Sequence, residues 1–273
     1  MKKPLWRSII FVALAALLVN AQAQPERPAT PDAPKVSLPL PFKAGEKLRY
    51  EVSFSKLIFG GTVGEMQLSV ANAEHAAKDP RLALKAEITT KGFFPTLFGL
   101  KARNTHSSIV SAQDLGLYES HKLIEEGDSR REQKSVIDRA AGRVTFTERN
   151  LADKNAETKT QDAASPSWVQ DMVSAIYFMR TRPLNAGDVV TVPISDAGHV
   201  YEIEVVVEAR EEVKVSAGKF KAIRLNAKVF DGRFIRRSGE MLMWVSDDAR
   251  HMPVRVRVKT SGATINVELK SIR

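Results

Sequence analysis

Alternation of apolar and polar residues runs through most of the sequence and limits the folds that the chain can adopt. In KLRYEVSFS, Leu48, Tyr50, Val52 and Phe54 fall on one side of an extended backbone, and polar side chains fall on the other. This period of two is typical of a strand with one buried face. The pattern recurs in EMQLSV, RLALKAEIT, RVTFTE, HVYEIEVVVEA, EVKVSAG, FKAIRLNAKVF, GEMLMWVS, MPVRVRVKT and ATINVELKSI. The sequence therefore predicts roughly a dozen half-buried strands.

Short turn signals separate these strands and favour hairpins over helical crossovers. FGGT, DPR, AAGR, SAGKF, SDDAR and SGA place Gly, Pro, Asp or Ser between alternating runs. A mainly antiparallel all-β fold follows. A sheet of this width does not stay flat and open, so it curls into a barrel or half-barrel, or splits into a sandwich.

One segment, residues 165–182, has helical rather than strand periodicity. Its apolar residues recur at intervals of three and four, at Val169, Met172, Val173, Ile176 and Met179. We expect one apolar helix near residues 166–181, capped by Ser165 or Ser167 and buried on much of its circumference. The helix either plugs or caps the curled sheet, or lies across one face of a sandwich.

The amino terminus has the features of a secretory signal peptide. Basic residues precede an apolar run over residues 9–19, and AQA follows at residues 21–23. The run is shorter than the roughly 20 residues that a membrane-spanning helix needs. We therefore expect a signal peptide over residues 1–23, cleavage after Ala23 and a periplasmic location.

The rest of the chain divides into a leader and one larger unit. Residues 24–41 hold six of the thirteen prolines and are expected to form an extended, disordered leader. Residues 42–273 have the length of a single large β-rich domain. Because the chain has no cysteine, it forms no disulfide and carries no lipid-anchored cysteine, so a hydrophobic core or a partner must stabilise it.

Net charge indicates the chemistry of partners. The formal charge is +9 and falls to about +6 when the signal peptide is removed. A basic chain favours anionic partners such as lipid headgroups, and peripheral contact with a membrane is compatible with it. Nucleic acid is not expected as a partner, since the aromatic interleaving of single-strand binders is missing and export separates the chain from most nucleic acid.

The sequence contains no recognisable motif for catalysis or metal binding. The five histidines are scattered and no cysteine accompanies them, so we expect no metal site. G-x-S-x-G does not occur, and GGTVG has the wrong spacing for a phosphate-binding loop. Asp247 and Asp248 in SDD read as a tight turn with a local ion pair rather than as paired catalytic carboxylates. We expect a protein that is not an enzyme and binds no cofactor.

The stretch KGFFPTLFGLK, residues 91–101, concentrates apolar side chains between two lysines. Phe93, Phe94, Leu97 and Phe98 are interrupted by glycine and proline and lie between two strand-like runs. The stretch is therefore a long connection. Its aromatic side chains fold onto the core, cover a pocket as a lid, or insert into a membrane.

Five stretches together carry a family resemblance: AGEKLRYEVSF, GGTVGEMQLSV, DMVSAIYFMRTRPLNAGD, EEVKVSAGKFKAIRLNAK and MLMWVSDDARHMPVRVRVKTSGATINVELKSI. They resemble the exported bacterial family called domain of unknown function 3108. The resemblance covers residues 40–273 and is most specific over residues 244–255, WVSDDARHMPVR. It implies an exported β-rich domain and carries over no catalytic residue.

Two functions fit these features. The first is a non-enzymatic periplasmic protein that binds an apolar or amphiphilic ligand, such as a lipid or an envelope component. The alternative is a structural module that docks on another envelope protein or on polysaccharide. For the first function, the expected ligand contacts are Phe93, Phe94, Leu97 and Phe98 as gate or lining, Trp168, Met172 and Ile176 as inner wall, and Arg255 and Arg257 at a headgroup.

Overall fold

The computed structural model describes residues 35–36, 38–56, 59–74, 79–92 and 101–273. The expected signal peptide, most of the leader, and the candidate gate residues Phe93, Phe94, Leu97 and Phe98 lie outside the described residues. The described part of the chain forms fourteen strands and one α-helix.

The strands account for most of the described chain. Their bounds are β1 Lys47–Lys56, β2 Phe59–Ala73, β3 Arg81–Thr90, β4 Ala102–Ser111, β5 Leu117–Glu126, β6 Ser129–Asp138, β7 Arg143–Asn150, β8 Lys159–Ala164, β9 Val189–Asp196, β10 His199–Val215, β11 Gly218–Ala227, β12 Gly239–Ser246, β13 Pro253–Thr260 and β14 Thr264–Ile272.

All fourteen strands belong to one antiparallel sheet in the order β8-β7-β6-β5-β4-β3-β2-β1-β14-β13-β12-β11-β10-β9. The first eight strands form one meander and the last six form another. The two meanders meet where β1 pairs with β14, in a register that sets Val52 opposite Val267. The sheet is curled and not closed, because its two edge strands, β8 and β9, are not hydrogen-bonded to each other. The predicted antiparallel all-β fold with one helix is confirmed.

The runs of alternating residues coincide with strands. In β1, Leu48, Tyr50 and Val52 are buried and the residues between them are more exposed. HVYEIEVVVEA and EVKVSAG, taken separately in the sequence, form the single strand β10. A bulge between Val207 and Ala209 shifts its register against β11.

Four strands, β5, β6, β8 and β9, go beyond those that the sequence predicts. In β5 and β6 most of the buried positions are polar, namely Ser120, Gln133 and Ser135, so no continuous apolar period marks these strands. Strand β8 is polar and mostly exposed, and β9 contains Pro193, which is typical of an edge strand. The apolar alternation on which the prediction depends is absent from β5, β6 and β8, and in β9 it is limited to Val190, Val192 and Ile194.

The two edges of the sheet approach each other and are covered locally. Gln161 in β8 donates from its side-chain Nε2 to the Gly198 carbonyl in the β9–β10 turn, at 3.1 Å. The segment before the helix covers part of β9: the Gln170 N–H donates to the Pro193 carbonyl at 2.9 Å, and the Ser195 N–H donates to the Gln170 carbonyl at 2.7 Å. Pairing of this kind protects an edge strand against association with other chains.

The helix, α1, spans Met172–Met179 and is shorter than expected. Its cap is Asp171, whose carboxylate accepts hydrogen bonds from two helix N–H groups, rather than Ser165 or Ser167. The expected extension to residue 166 is wrong because Val169 hydrogen-bonds to the start of β5 and Gln170 to β9 instead. The helix packs against β3, β4 and β9. With a single curled sheet, it lies within the curl and not across one face of a sandwich.

A buried arginine ties the end of the helix to the rest of the fold. The guanidinium of Arg180 makes two hydrogen bonds to Glu46, at 2.6 and 2.9 Å, and its Nε donates to the Arg250 carbonyl at 3.0 Å. Its Nη2 also lies 3.3 Å from the Pro41 carbonyl. The Phe42 ring packs under the guanidinium at 4.9 Å. This network joins the helix, the segment before β1 and the turn before β13.

The SDD sequence forms the turn predicted for it. Asp248 accepts hydrogen bonds from the Ser246 hydroxyl at 2.7 Å and from the Arg250 N–H at 3.0 Å, and it pairs with the Arg250 guanidinium at 2.7 Å. Asp247 points to a separate partner, Arg210, at 3.2 Å. The two carboxylates therefore have structural roles in different ion pairs, and the prediction of a turn with a local ion pair is confirmed.

Candidate functional site

A cavity of about 210 Å³ lies between the inner face of the sheet, the helix α1 and the connection that follows β11. It exceeds the ~150 Å³ apolar cavity that accepts a benzene-sized molecule in another protein. Seventeen of its twenty-four lining residues are apolar. This composition, with a few polar groups on one side, is typical of small-molecule sites.

Strands from the centre of the sheet form what we call the apolar wall of the cavity. Its residues alternate along strands β2, β3, β12, β13 and β14, so they share the inner face. Adjacent strands place them side by side, with Met66 opposite Ile88 and Val256 opposite Val267. The apolar wall consists of Met66, Leu68, Ala86, Ile88, Met241, Val256, Val258, Ile265 and Val267.

Two other elements cover the apolar wall. The helix contributes Met172, Val173 and Ile176, and the β11–β12 connection contributes Val229, Phe230, Phe234 and Ile235. The connection is held in shape because the Asp231 carboxylate accepts the Arg233 and Phe234 N–H groups, both at 2.9 Å. Phe234 is buried and packs edge-on against Tyr201, with ring centroids 5.1 Å apart. The cover is therefore built from ordered, packed side chains.

Strands β4, β5 and β6 form the opposite, polar wall of the cavity. Its members are Asn104, Thr105, His106, Lys122, Ile124, Arg131 and Gln133. The register puts them in two rows across the sheet: His106, Lys122 and Gln133 in one row, and Asn104, Ile124 and Arg131 in the next. Polar side chains on neighbouring strands thus replace the apolar ones found elsewhere on the inner face.

His106 is held by the helix cap. Its Nε2 lies 3.0 Å from the Asp171 Oδ2, and the same oxygen accepts a hydrogen bond from the Ser108 hydroxyl at 2.6 Å. Burial would raise the pKa of Asp171, but the charge of His106 and hydrogen bonds from His106, Ser108 and the Ser174 N–H hold that pKa well below its usual range. Asp171 therefore links the polar wall to the helix.

The same histidine nitrogen also lies 2.9 Å from the Ser120 hydroxyl. In a Ser-His-Asp triad the serine and the carboxylate contact different ring nitrogens, so that the histidine can accept the serine proton. Here Ser120 and Asp171 share Nε2, and a hydrogen donated from it to Asp171 leaves that nitrogen unable to accept a proton from Ser120. The arrangement orients His106 and lacks the geometry of a triad.

Lys122 and Gln133 also have protein partners. Lys122 forms an ion pair with Asp196, whose side chain is buried at the end of β9. This pair spans the curl of the sheet, since β5 and β9 are far apart in strand order. Gln133 donates from Nε2 to Glu148 on β7 at 2.6 Å. The charge of Lys122 is therefore balanced within the protein.

Arg131 differs from these neighbours. Its Nε is buried and has no hydrogen-bond partner. Among the described residues, no carboxylate pairs with its guanidinium. A buried donor without an acceptor costs free energy relative to water. Arg131 is thus the cation of the polar wall whose charge is not balanced by the described part of the protein.

The structure brings only some of the predicted ligand-contacting residues to the cavity. Met172 and Ile176 line it. Trp168 does not, because it precedes the helix and packs in the core against Phe178, with ring centroids 5.7 Å apart. The expected position of Trp168 on the inner wall is therefore corrected.

Arg255 and Arg257 also lie away from the cavity. They alternate along β13 with Val256 and Val258, which line it, so the two arginines face the outer side of the sheet. There Arg255 pairs with Glu268 at 2.7 Å, and Arg257 donates to Asn266 at 3.1 Å. Neither arginine is among the residues that line the cavity.

Sequence reasoning missed the polar wall. His106, Lys122 and Arg131 occupy inward positions of strands whose outward positions are also polar, so alternation gives no indication of which side faces inward. Asp171 could have been recognised, because Asp171 and Ser174 form an Asp-x-x-Ser pair at the start of an apolar helical run. The contact between Asp171 and His106 depends on tertiary structure and has no local signal.

Within the described ranges, no group of three or more His, Asp or Glu side chains is placed to hold a metal ion. No helix in this part of the chain is long and apolar enough to cross a membrane.

The fold and cavity define a class of protein: one curled, unclosed antiparallel sheet, with an internal helix, that holds a small, partly open cavity with an apolar and a polar wall. The chain belongs to the family described as protein of unknown function (DUF3108), which matches residues 49–270. The resemblance seen in the sequence is thereby confirmed. No curated protein matches the sequence.

Similarity to solved structures is found at low sequence identity. The chain is similar to a β-barrel-like protein of domain of unknown function DUF1849 from Brucella abortus, with a TM-score of 0.52, 9% identity, and coverage of 84% of this chain and 96% of that chain. For a candidate exported protein with a YmcC-like fold from Bacteroides fragilis, the TM-score is 0.36 and the identity 10%, with coverage of 86% of this chain and 98% of that chain. For a candidate lipoprotein from Parabacteroides distasonis, the TM-score is 0.33 and the identity 10%, with coverage of 86% of this chain and 97% of that chain. The first likeness supports the curled-sheet fold.

Proposed function

We propose that this protein is an exported, non-enzymatic binding protein that takes up an amphiphilic ligand, such as a lipid or an envelope component, in the cavity within its curled sheet. The observation that carries the proposal is the cavity itself, where an apolar wall faces a polar wall inside one fold. A purely structural core would be packed to the density of an organic crystal, with few voids larger than water.

Export supports the same proposal. The basic residues, the apolar run and the AQA site at the amino terminus are those of a signal peptide, which leads to a periplasmic location. In that compartment a lipid or a similar amphiphile has to be shielded from water as it moves between membranes. A cavity with apolar surface provides that shielding.

The alternative, a module that docks on an envelope protein or polysaccharide, has less support. It calls for a packed interior and a wide apolar patch outside. Among the described residues, the exposed large apolar side chains are Leu38, Val136, Val189 and Ile272. Leu38 precedes β1, and Val136, Val189 and Ile272 belong to β6, β9 and β14, which are not neighbours in the sheet. These side chains therefore do not lie on adjacent strands.

Replacing each of two alanines on one strand by phenylalanine tests the proposed function. Ala86 lines the cavity, and Ala83 faces the other side of the same strand, β3. Ala86→Phe should fill the cavity and reduce uptake of a fluorescent fatty acid about tenfold or more. Ala83→Phe, which adds the same volume outside, should leave uptake unchanged. Circular dichroism and thermal unfolding of both variants check that they fold.

Lipid extraction of wild-type protein purified from the periplasm provides a second measurement. We expect a copurified amphiphile. Equal uptake by both variants, or no uptake by the wild type together with an empty extract, would contradict the proposed function.

A further inference from the structure

The charges of the cavity lining have one sign. Two basic side chains, Lys122 and Arg131, are among the twenty-four lining residues, and no aspartate or glutamate is. The carboxylates that contact the polar wall are engaged by the protein: Asp196 pairs with Lys122, Glu148 accepts from Gln133, and Asp171 accepts from His106, Ser108 and the helix. Among the lining residues themselves, an anion in the cavity would meet no like charge, whereas a cation would meet basic groups.

The protein already occupies most of the polar wall. Lys122 pairs with Asp196, and Gln133 donates to Glu148 at 2.6 Å. His106 is engaged by Asp171 and Ser120. Only Arg131 combines a position on the lining with a buried nitrogen that has no partner in the described part of the chain. The group left to receive a ligand is therefore a guanidinium.

We propose that the ligand is an anionic amphiphile whose carboxylate or phosphate group binds the guanidinium of Arg131 while its hydrocarbon part lies on the apolar wall. This inference rests on the proposed function. A guanidinium presents a planar fork of donors that matches carboxylate and phosphate oxygens, and charge-assisted bonds of this kind are stronger than neutral ones. An anion would give the buried Nε the acceptor that it lacks.

The position of Arg131 in the sheet fits this role. Its cross-strand neighbours are Ile124 on β5 and Asn150 on β7, so no acidic side chain stands directly opposite it. Gln133, two residues along β6, shares its face and contributes a polar contact beside it. The preceding residue, Arg130, points outward and pairs with Glu125 at 3.0 Å. Two adjacent arginines thus have opposite environments, one paired and exposed and the other unpaired at the cavity.

These two arginines provide a matched test. Delipidated protein without residues 1–23 is titrated with dodecanoate, dodecyl phosphate and dodecanol, which share one hydrocarbon chain and differ in headgroup. We expect the wild type to bind at least one of the two anions about tenfold more tightly than the alcohol, as one charge-assisted contact implies. Arg131→Gln should abolish that preference and leave the affinity for dodecanol unchanged. Arg130→Gln should behave as the wild type, and Arg131→Lys should restore part of the preference.

The outcomes separate this inference from the proposed function. If the wild type binds all three compounds equally, or if Arg131→Gln still prefers the anions, the inference is wrong and the amphiphile-binding function stands. If none of the three binds, both are contradicted. If the preference depends on Arg131, the tighter of the two anions identifies the headgroup as carboxylate or phosphate. The thermal midpoint of each variant, measured in parallel, shows that a lost preference is not lost folding.

Discussion

Two arginines of this fold are held in contrasting ways. Arg180, at the end of the helix, is fully buried and bonds to Glu46 through both ends of its guanidinium, with a further bond to the Arg250 carbonyl. Arg131, on the polar wall of the cavity, has a buried nitrogen and no partner in the described part of the chain. The hydrogen-bond donors of Arg180 have acceptors within the protein, whereas the buried Nε of Arg131 has none in the described part of the chain. One residue type therefore serves stability in one place and, as we propose, recognition in the other.

The contrast shows how burial and pairing should be considered together. A buried ion pair adds little when compared with a well-packed apolar substitute, but removing one partner of an existing pair is costly because the other charge remains buried. A basic group that lacks a partner already carries a desolvation cost in the folded protein. Its removal should therefore be tolerated by the fold.

The largest expected effect is on Arg180. Arg180→Met leaves Glu46 without its partner and should lower the free energy of unfolding by about 3–5 kcal/mol. Urea denaturation with a fixed slope measures it. Arg250→Met, which breaks the exposed pair with Asp248, is the control and should cost about 1 kcal/mol or less. If Arg180→Met lowers the free energy of unfolding by less than about 1 kcal/mol, the pair between Arg180 and Glu46 does not stabilise the fold as expected.

An intermediate effect is expected at Asp171. Asp171→Asn keeps a capping oxygen but weakens the charge-assisted bonds to His106 and Ser108, which should cost about 2 kcal/mol at neutral pH. Because the pKa of Asp171 is lower in the folded state than its ordinary value of 3.8, its contribution is present above that value and is lost as the pH falls below it.

The wild type should therefore lose stability on acidification below about pH 4 more steeply than Asp171→Asn, and the two curves should converge in acid. Chemical denaturation at a series of pH values measures this. Asp128→Asn, at an exposed turn, should follow the wild-type curve. Parallel curves for the wild type and Asp171→Asn would show that the carboxylate contributes nothing through its charge.

The smallest effect on stability is expected at Arg131. Arg131→Met removes an unpaired, partly buried guanidinium and keeps much of its apolar volume, so the free energy of unfolding should stay within about 1 kcal/mol of the wild type or rise above it. Denaturation with urea measures it beside Arg180→Met. A loss comparable to that of Arg180→Met would mean that Arg131 has a structural partner, and the contrast between the two arginines would fail.

The sequence predicts the apolar half of this molecule well and the polar half poorly. Alternation places Val256 and Val258 on one face of a strand, and they line the cavity together as that face implies. In β5 and β6 the inward positions include Lys122 and Gln133, so the pattern that identifies strands is lost where the polar wall is built.

Long-range contacts account for the rest. The pairing of β1 with β14 joins the first described strand to the last and has no local signal. The bond between Asp171 and His106 likewise depends on where the helix lies inside the curl. Arg255 and Arg257 lie away from the cavity because strand alternation, applied to Val256, directs them to the outer face.

The most direct test of the central claim is native mass spectrometry of the wild-type protein and Ala86→Phe, both purified from the periplasm without detergent. We predict a wild-type mass that includes a non-covalently bound amphiphile, which is released on denaturation, and a strongly reduced adduct in Ala86→Phe. A wild-type mass equal to that of the polypeptide alone, together with no uptake of added dodecanoate, dodecyl phosphate or dodecanol, would contradict the claim that the cavity binds an amphiphile.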